Sequence, residues 1–254
     1  TWAVRDTWTL ARRMLTHNVR SIDTIMTALV MPLMILLAFV FVLGGAMNTG
    51  PVRYVDFVVP VVLLMCVASG VAYTAFRVNN DATGGMFTRL RTMPIAHSAL
   101  LGGHMLASVI VNAVSVGVLL ALALAIGYRP TADAAGWALT FALLLAAVAA
   151  FSAMGVAFGI LAKTAEGASV FSYPVIGLLF VSSGFAPVET MPAGLRAFAD
   201  HQPLTPVINA IRDAQISQPS AGQVGVAFAW LAGLGIFFAI IASWAFRRSK
   251  ARQL

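Results

Sequence analysis

Six long apolar stretches, separated by short polar segments, dominate the order of residues along this chain. They cover residues of about 24–44, 55–76, 99–126, 137–161, 168–186 and 223–246. A helix needs about 20 mostly apolar residues to cross the hydrocarbon core of a bilayer. None of the stretches shows the alternation of apolar and polar residues that barrel strands require. The pattern predicts an all-α integral membrane protein with six transmembrane helices, in one domain over residues 1–254.

The composition supports a membrane protein. It also argues against nucleic-acid binding, which the net charge alone would suggest. The chain has 254 residues, of which 60% are hydrophobic and 10% are charged, whereas roughly 25% of the residues in a soluble domain are charged. A net charge of +7 would favour nucleic acid as a partner of a soluble chain. Here most Arg and Lys residues lie between or beyond the apolar stretches, where the positive-inside rule explains them. Membrane lipid is therefore a predicted partner, and nucleic acid is not.

The distribution of basic residues predicts the orientation. Four of the 16 basic residues fall in the segments on one side: Arg53, Arg129, Arg196 and Arg212. The other twelve fall in the segments on the opposite side: Arg5, Arg12, Arg13, Arg20, Arg77, Arg89, Arg91, Lys163, Arg247, Arg248, Lys250 and Arg252. Because Lys and Arg accumulate in cytoplasmic loops, we expect both termini in the cytoplasm, with the protein in the plasma (inner) membrane.

The residues before the first span predict a helix over about 5–22 that lies in the inner interface. Its apolar positions recur at steps of three and four residues: Trp8, Ala11, Leu15, Val19 and Ile22. This spacing places them on one helix face. An interfacial helix with Trp and Arg is typical of such a pattern, and an ordinary cytosolic amphipathic helix is the alternative.

The outer segment, residues 186–220, mixes prolines with short apolar patches. It is too polar to cross the bilayer and too apolar for a free loop. We therefore expect short helices that enter the outer leaflet and return, a re-entrant segment.

Small residues at four-residue steps predict close helix contacts. The sets are Gly155 with Gly159, Ala146 with Ala150, and Gly225, Ala229 and Gly233. Such contacts form either within one subunit or across a dimer, and the sequence leaves both possibilities open.

The chain offers no sign of enzyme chemistry. Its His and Cys residues show no pair at the spacing of metal ligands. The hexapeptide GILAKT, residues 159–164, lacks the Gly before Lys that a phosphate-binding loop needs. The centres of the spans hold almost no ionisable side chains, unlike those of ion-driven carriers. We predict no catalytic residue, metal or cofactor in this chain, and an energy source outside the membrane.

The inner loop over residues 77–98 carries a candidate docking element. In the stretch NNDATGGMFTRLRTMP, Met86, Phe87 and Leu90 form an apolar face beside Arg89 and Arg91. Glycines precede this short helix and Pro94 ends it. Such an element could dock into the groove of a partner, and a plain basic loop is the alternative.

Two stretches resemble a known family. GGMFTRLRTMPIAHSALLGGHMLA (84–107) and SSGFAPVETMPAGLRAFADHQPLTPVINAIRDA (182–214) are similar to the membrane (permease) subunits of type-2 ABC exporters, in particular the daunorubicin-resistance permease group. Thr88 stands where members of this family often have Asp or Glu, so a salt bridge expected there is absent or replaced.

The resemblance implies a coupling helix in the inner loop, formed by Gly85, Met86, Phe87, Arg89, Leu90, Arg91 and Pro94. A cytoplasmic ABC ATPase subunit, which holds ATP and Mg, would act through this helix. A second permease copy or a related permease would complete a dimer, with the substrate path between spans two and five and an outer gate near the re-entrant segment. The path residues carried over are Leu64, Met65, Ala68, Ser69, Val71, Phe171, Val175, Leu179, Phe180 and Ser183.

The apolar character of this path predicts a hydrophobic or amphipathic substrate, either drug-like or lipid, because ligand sites with few polar groups suit such molecules. The expected function is therefore the transmembrane subunit of an ATP-driven exporter for drug or lipid transport, with multidrug resistance as the expected phenotype. The alternatives are a permease that exports a polysaccharide or another glycan and a membrane protein without transport activity, such as a scaffold or an integral acyltransferase.

Overall fold

The computed structural model describes residues 2–19, 22–46, 52–84 and 97–251. Within these ranges all regular elements are helical. In chain order the α-helices are α1 (Trp2–Val19), α2 (Ile22–Leu37), α3 (Tyr54–Thr83), α4 (His97–Ile126), α5 (Ala134–Leu161), α6 (Ala165–Val170), α7 (Ser172–Phe180), α8 (Ala193–His201), α9 (Leu204–Gln215) and α10 (Ala221–Ala251). The predicted coupling residues lie outside the described residues: Gly85, Met86, Phe87, Arg89, Leu90, Arg91 and Pro94.

Within the described part of the chain, four helices are long and apolar enough to cross a bilayer: α3 over its whole length, α4 over Leu101–Ile126, α5 over its whole length and α10 over Ala221–Arg248. They have 26 to 30 residues, and at 1.5 Å per residue each is about 40 Å long. That exceeds the roughly 30 Å of the hydrocarbon core. The long apolar helices predicted at 55–76, 99–126, 137–161 and 223–246 are therefore confirmed.

The first predicted span, 24–44, is also helical but changes its winding. α2 contains Pro32 and continues without interruption into a π-helical segment, Ala38–Leu43. Together the two segments run from Ile22 to Leu43, and their apolar part includes Leu29–Leu43.

The fifth predicted span, 168–186, differs from a single continuous helix. α6 ends at Val170, α7 begins at Ser172, and the chain turns after Phe180. Pro174 explains the break, because it has no N–H to donate to the carbonyl four residues earlier. Side chains supply substitute bonds at this point: the Ser172 hydroxyl donates to the Ser169 carbonyl at 2.8 Å.

α3 lies at the centre of the fold. In the most apolar stretch of α3, 78% is buried. The corresponding stretches are 67% buried in α5, 33% in α4 and 11% in α10. It packs against α2, α4, α5, α6, α7 and α9. α10 instead packs on α5 and α9 and exposes large apolar side chains such as Phe237 and Ile240. Six of the helices described above therefore pack directly on α3.

Two glycines of α5 allow α3 to approach closely. A Cβ at Gly155 would lie 2.9 Å from the Thr74 Cβ, and one at Gly159 would lie 2.6 Å from the Val78 Cβ. This pair therefore serves a contact within the subunit. No described atom lies within 4 Å of a Cβ placed at Gly225 or Gly233, so a contact across a dimer stays a prediction for that pair.

The first helix packs on the start of α4. Leu10 and Ala11 are buried, and a Cβ at Gly103 of α4 would come within 2.9 Å of the Leu10 Cβ. Trp8, which belongs to the predicted apolar stripe, is 53% exposed. The buried face of α1 is thus rotated relative to the predicted stripe, with Ala11 shared by both.

The contact at Gly159 generates a stability prediction. Gly159→Ala would place a Cβ 2.6 Å from Val78 and 2.7 Å from the Ala75 carbonyl oxygen, so α3 and α5 must move apart. We expect this substitution to lower the free energy of unfolding by about 1–3 kcal/mol, measured as thermal unfolding of the purified protein. Gly233→Ala, with open space around its Cβ, is the matched control. Identical melting of both variants would contradict the close α3–α5 contact.

Candidate functional site

The structure places the α3 half of the predicted path inside the subunit. Leu64, Met65 and Ala68 are fully buried, and Val71 is 1% exposed. Ser69 is partly buried, and its hydroxyl donates to the Met65 carbonyl at 3.0 Å. In this conformation the apolar side chains pack against their own subunit.

The α6–α7 half of the predicted path is divided between the core and the surface. Val175 and Leu179 pack into the same apolar core as the buried α3 residues. Phe171 and Phe180 are each 43% exposed. Phe171 lies at the break between α6 and α7, where it stacks on Phe158 of α5 with the ring centroids 4.3 Å apart. The two rings are therefore accessible from outside the subunit.

Ser183 belongs to a separate polar cluster in the turn that follows α7. Its hydroxyl donates to the Asn209 side-chain oxygen at 2.7 Å. Arg212 donates to the carbonyls of Ser183 and Phe57, both at 3.0 Å. The guanidinium carbon also lies 3.8 Å from the centroid of the Phe57 ring. Arg212 therefore ties α9 to both α3 and the turn after α7, and we call this group the Arg212 clasp.

Burial lowers the pKa of Arg212 to about 10, so the guanidinium is charged at neutral pH. Its charge is balanced by carbonyl dipoles and by the face of an aromatic ring. The apolar side of α9 adds to the attachment, because Leu204, Ile208 and Ile211 are buried in the main core. The sequence marked Arg212 only as one of four basic residues in outer segments, and no local pattern pointed to partners more than 20 residues away.

Asn79 joins α3 to the end of α5. The side chain is 1% exposed, and its amide nitrogen donates to the carbonyls of Gly159 at 2.9 Å and Ala162 at 2.7 Å. α5 ends at Leu161, and the last carbonyls of a helix have no partner within it. Asn79 thus supplies the missing donors from a neighbouring helix, one turn before α3 ends at Thr83.

A buried polar node links α3, α4 and α5. The Ser108 hydroxyl of α4 lies 2.7 Å from that of Thr74 in α3 and 2.8 Å from that of Ser152 in α5. The Asn112 amide donates to the Ser108 carbonyl at 3.0 Å. In a membrane such side-chain bonds average about 0.6 kcal/mol each. The sequence analysis missed this node, although Ser108 and Asn112 are polar residues four apart in an apolar helix.

A small cavity lies beside the polar node. Its lining includes Tyr73, Arg77, Asp81 and His104. The His104 ring nitrogen Nε2 lies 3.5 Å from a carboxylate oxygen of Asp81. Among the described residues, no three His, Cys, Asp or Glu side chains are placed to hold a metal ion.

The helical architecture agrees with a family assignment made from the sequence itself. The family model described as "ABC-2 type transporter" matches residues 5–216. The chain belongs to the ABC-2 type transporter family. The matched region includes α1 to α9 and therefore all the path residues discussed above. The resemblance seen in the two stretches at 84–107 and 182–214 is confirmed.

Curated relatives of this ABC-2 permease are drug-resistance proteins. The chain is 32% identical over 224 residues to the daunorubicin resistance ABC transporter permease protein DrrB1 of Streptomyces coeruleorubidus, covering 87% of this chain and 78% of that protein. It is 24% identical over 254 residues to the probable doxorubicin resistance ABC transporter permease protein DrrC of Mycobacterium tuberculosis, covering 97% of this chain and 90% of the relative.

Family membership and the apolar helices together define a multi-pass membrane subunit of an ABC transporter. In ABC-2 systems the permease works with an ATP-binding subunit, and ATP hydrolysis takes place there. The permease therefore receives its energy through protein contacts.

The Arg212 clasp predicts a loss of stability in a conservative variant of this permease. Arg212→Lys keeps the charge but loses the planar fork that reaches two carbonyls at once. We expect it to lower the free energy of unfolding by about 1.5–3 kcal/mol, the range for hydrogen bonds to charged groups, measured by thermal unfolding. Arg196→Lys is the control, because Arg196 is half exposed and 3.8 Å from Asp200, and surface pairs contribute about 0–1 kcal/mol. Unchanged melting of Arg212→Lys would show that the clasp adds little.

Proposed function

We propose that this permease is the transmembrane subunit of an ATP-driven exporter that moves a hydrophobic or amphipathic molecule, drug-like or lipid, out of the cytoplasm or the inner leaflet. The observation that carries the proposal is the relation to permeases named for resistance to daunorubicin and doxorubicin, which covers most of the chain. ATP and Mg would be bound by the separate ATPase subunit.

The character of the proposed path supports a cargo of this kind. The described path residues of α3, α6 and α7 are aliphatic or aromatic, apart from Ser69 and Ser183. The hydroxyls of these two serines are already bonded within the subunit. A path with few available polar groups favours apolar or amphipathic ligands.

We further propose that all six apolar stretches cross the bilayer and that both termini are cytoplasmic. α6 and α7 together, Ala165–Phe180, reach about 24 Å at 1.5 Å per residue, so the turn after Phe180 would have to complete the crossing. α8 and α9 would then form the outer re-entrant segment, which the Arg212 clasp holds on the outer end of α3. The excess of basic residues on the opposite side supports this orientation.

The exporter would contain two permease subunits and two ATPase subunits. Only 33% of the apolar stretch of α4 and 11% of that of α10 are buried, so their outer faces are available to lipid or to a second copy. A homodimer would use the same patch on both chains, and a heterodimer would use a related permease in the second position.

Cargo and ATPase assays on the assembled complex test this proposal. We expect ATP hydrolysis by the reconstituted complex to rise with daunorubicin or with a lipid amphiphile and to stay at the basal rate with an oligosaccharide. The permease without its ATPase subunit is the control and should hydrolyse no ATP. A response to oligosaccharide alone would favour the glycan exporter. The absence of any co-purifying ATPase would favour the scaffold.

Two substitutions test whether the predicted coupling stretch binds the ATPase subunit. Phe87→Ala should weaken association with the ATPase subunit, because truncation of a buried aromatic anchor costs roughly 3–5 kcal/mol in a core and a few such anchors dominate an interface. Arg89→Ala is the comparison and should have a smaller effect if that side chain meets lipid headgroups. A larger effect of Arg89→Ala would indicate a partner carboxylate on the ATPase.

Both variants are compared at equal abundance in the membrane, with co-purification of the ATPase subunit and export as the two measurements. Normal export by Phe87→Ala would return this stretch to the alternative of a plain basic loop.

A further inference from the structure

We infer that Asn79 is a positioning residue that carries the displacement of α3 to α6 and α7, the second half of the proposed path. The inference rests on the proposed function in one respect, the site at which the ATPase subunit acts. Residue 79 precedes the end of α3 by one turn, and the predicted coupling stretch follows that end directly. A push on that stretch therefore reaches Asn79 before it reaches the apolar core.

The receiving group is the carbonyl of Ala162. This residue begins the three-residue connection 162–164 between α5 and α6. Its own N–H donates to the Phe158 carbonyl at 2.9 Å, and the hydroxyl of Thr164 accepts from the Gly167 N–H at 3.1 Å to cap α6. The connection is thus bonded to the helix on each side. A shift of the Ala162 carbonyl must move the start of α6.

A hydrogen bond is needed at this position because apolar contacts alone allow one helix to shift along its neighbour more easily. α3 also touches α6 and α7 through its core residues, but aliphatic packing has no preferred register. The polar node at Ser108 fixes α3 to α4 and α5. The Asn79 amide, with one N–H on Gly159 and one on Ala162, extends this connected unit to the start of α6.

The geometry also explains why an amide is suited to the position. Both hydrogens of the amide nitrogen are used, and both acceptors are backbone carbonyls. An Asp side chain has almost the same shape but no N–H donors. The ionised form has no hydrogen to share, and the neutral form that burial favours has only one. Asn79→Asp therefore removes at least one of the two bonds while leaving the volume unchanged.

The test compares export with ATP consumption in the reconstituted complex. We expect Asn79→Asp to keep ATPase co-purification and basal hydrolysis while the amount of cargo moved per ATP falls about two- to thirtyfold, the span of coupling effects reported for residues between two sites. Asn79→Ala should show the same loss with no added charge. Gly103→Ala is the structural control, because its Cβ would lie 2.9 Å from the Leu10 Cβ and crowd the contact between α4 and α1. It leaves Asn79 and both acceptor carbonyls unchanged and should lower stability without changing cargo per ATP.

A second measurement does not depend on the cargo. Spin labels at Ile240→Cys in α10 and Tyr173→Cys in α7 sit on exposed positions, and the native thiol of Cys66 is buried. α10 lies outside the unit that the Ser108 and Asn79 bonds connect. We expect the distance between the labels to change on addition of ATP in the otherwise native complex and to stay constant with Asn79→Asp. If the native complex moves no cargo in the panel but its label distance responds to ATP and Asn79→Asp abolishes that response, the proposed cargo fails and the role of Asn79 stands.

Three results would overturn the inference. One is an unchanged ratio of cargo to ATP in both Asn79 variants. Another is an ATP-dependent label distance that survives Asn79→Asp. The third is failure of both variants to accumulate in the membrane, which would assign the side chain to folding alone.

Discussion

No water reaches the hydrocarbon core of a bilayer, so a backbone carbonyl that a helix leaves free there must find its donor within the chain. The fold of this permease depends on how that constraint is met where helices stop or break. Asn79 supplies donors to the last carbonyls of α5. Arg212 donates to the carbonyl of Ser183, in the turn after α7, and also to that of Phe57 in the first turn of α3. At the interruption before α7, the hydroxyl of Ser172 donates to the carbonyl of Ser169 near the end of α6.

These bonds divide the central helix into regions with different properties. Near its start α3 is held through the carbonyl of Phe57, and near its end through the side chains of Thr74 and Asn79. Between them lie Leu64 and Ala68, whose contacts are apolar. Directional bonds fix register, whereas dispersion contacts are small individually and have no direction. A rearrangement that opens a path for cargo in the middle of the helix therefore separates apolar contacts and leaves the directional bonds at both ends in place.

The sequence predicted the parts of the fold that follow from composition along a single segment. Hydropathy and length were sufficient for α3, α4, α5 and α10, and two local stretches were sufficient for the family. The signal for the break at Phe171 was present in Pro174, but an apolar run of spanning length outweighed it. The rotation of α1 that exposes Trp8 depends on where Gly103 of α4 admits Leu10, and this is a property of two segments together.

The candidate site was harder to predict for the same reason. Asn79 and Gly159 are 80 residues apart, and Phe57 and Arg212 are 155 residues apart, so neither pair leaves a periodic pattern. The predicted path residues lie on segments that contact each other. Their inward and outward faces could not be predicted, because a helix that is apolar all round has no amphipathic stripe. The coupling stretch stays a prediction from its residues and from the resemblance.

The interruption at Phe171 also has a mechanical consequence. An unbroken helix without a proline, such as α5, resists bending because every turn is braced by backbone bonds. The α6–α7 pair lacks part of these backbone bonds, and hydrogen bonds from the hydroxyls of Ser169 and Ser172 replace them. Its resistance to bending is therefore lowest at Phe171. A displacement of α6 therefore changes the angle between α6 and α7 at Phe171. Phe180, at the far end of α7, then moves farthest.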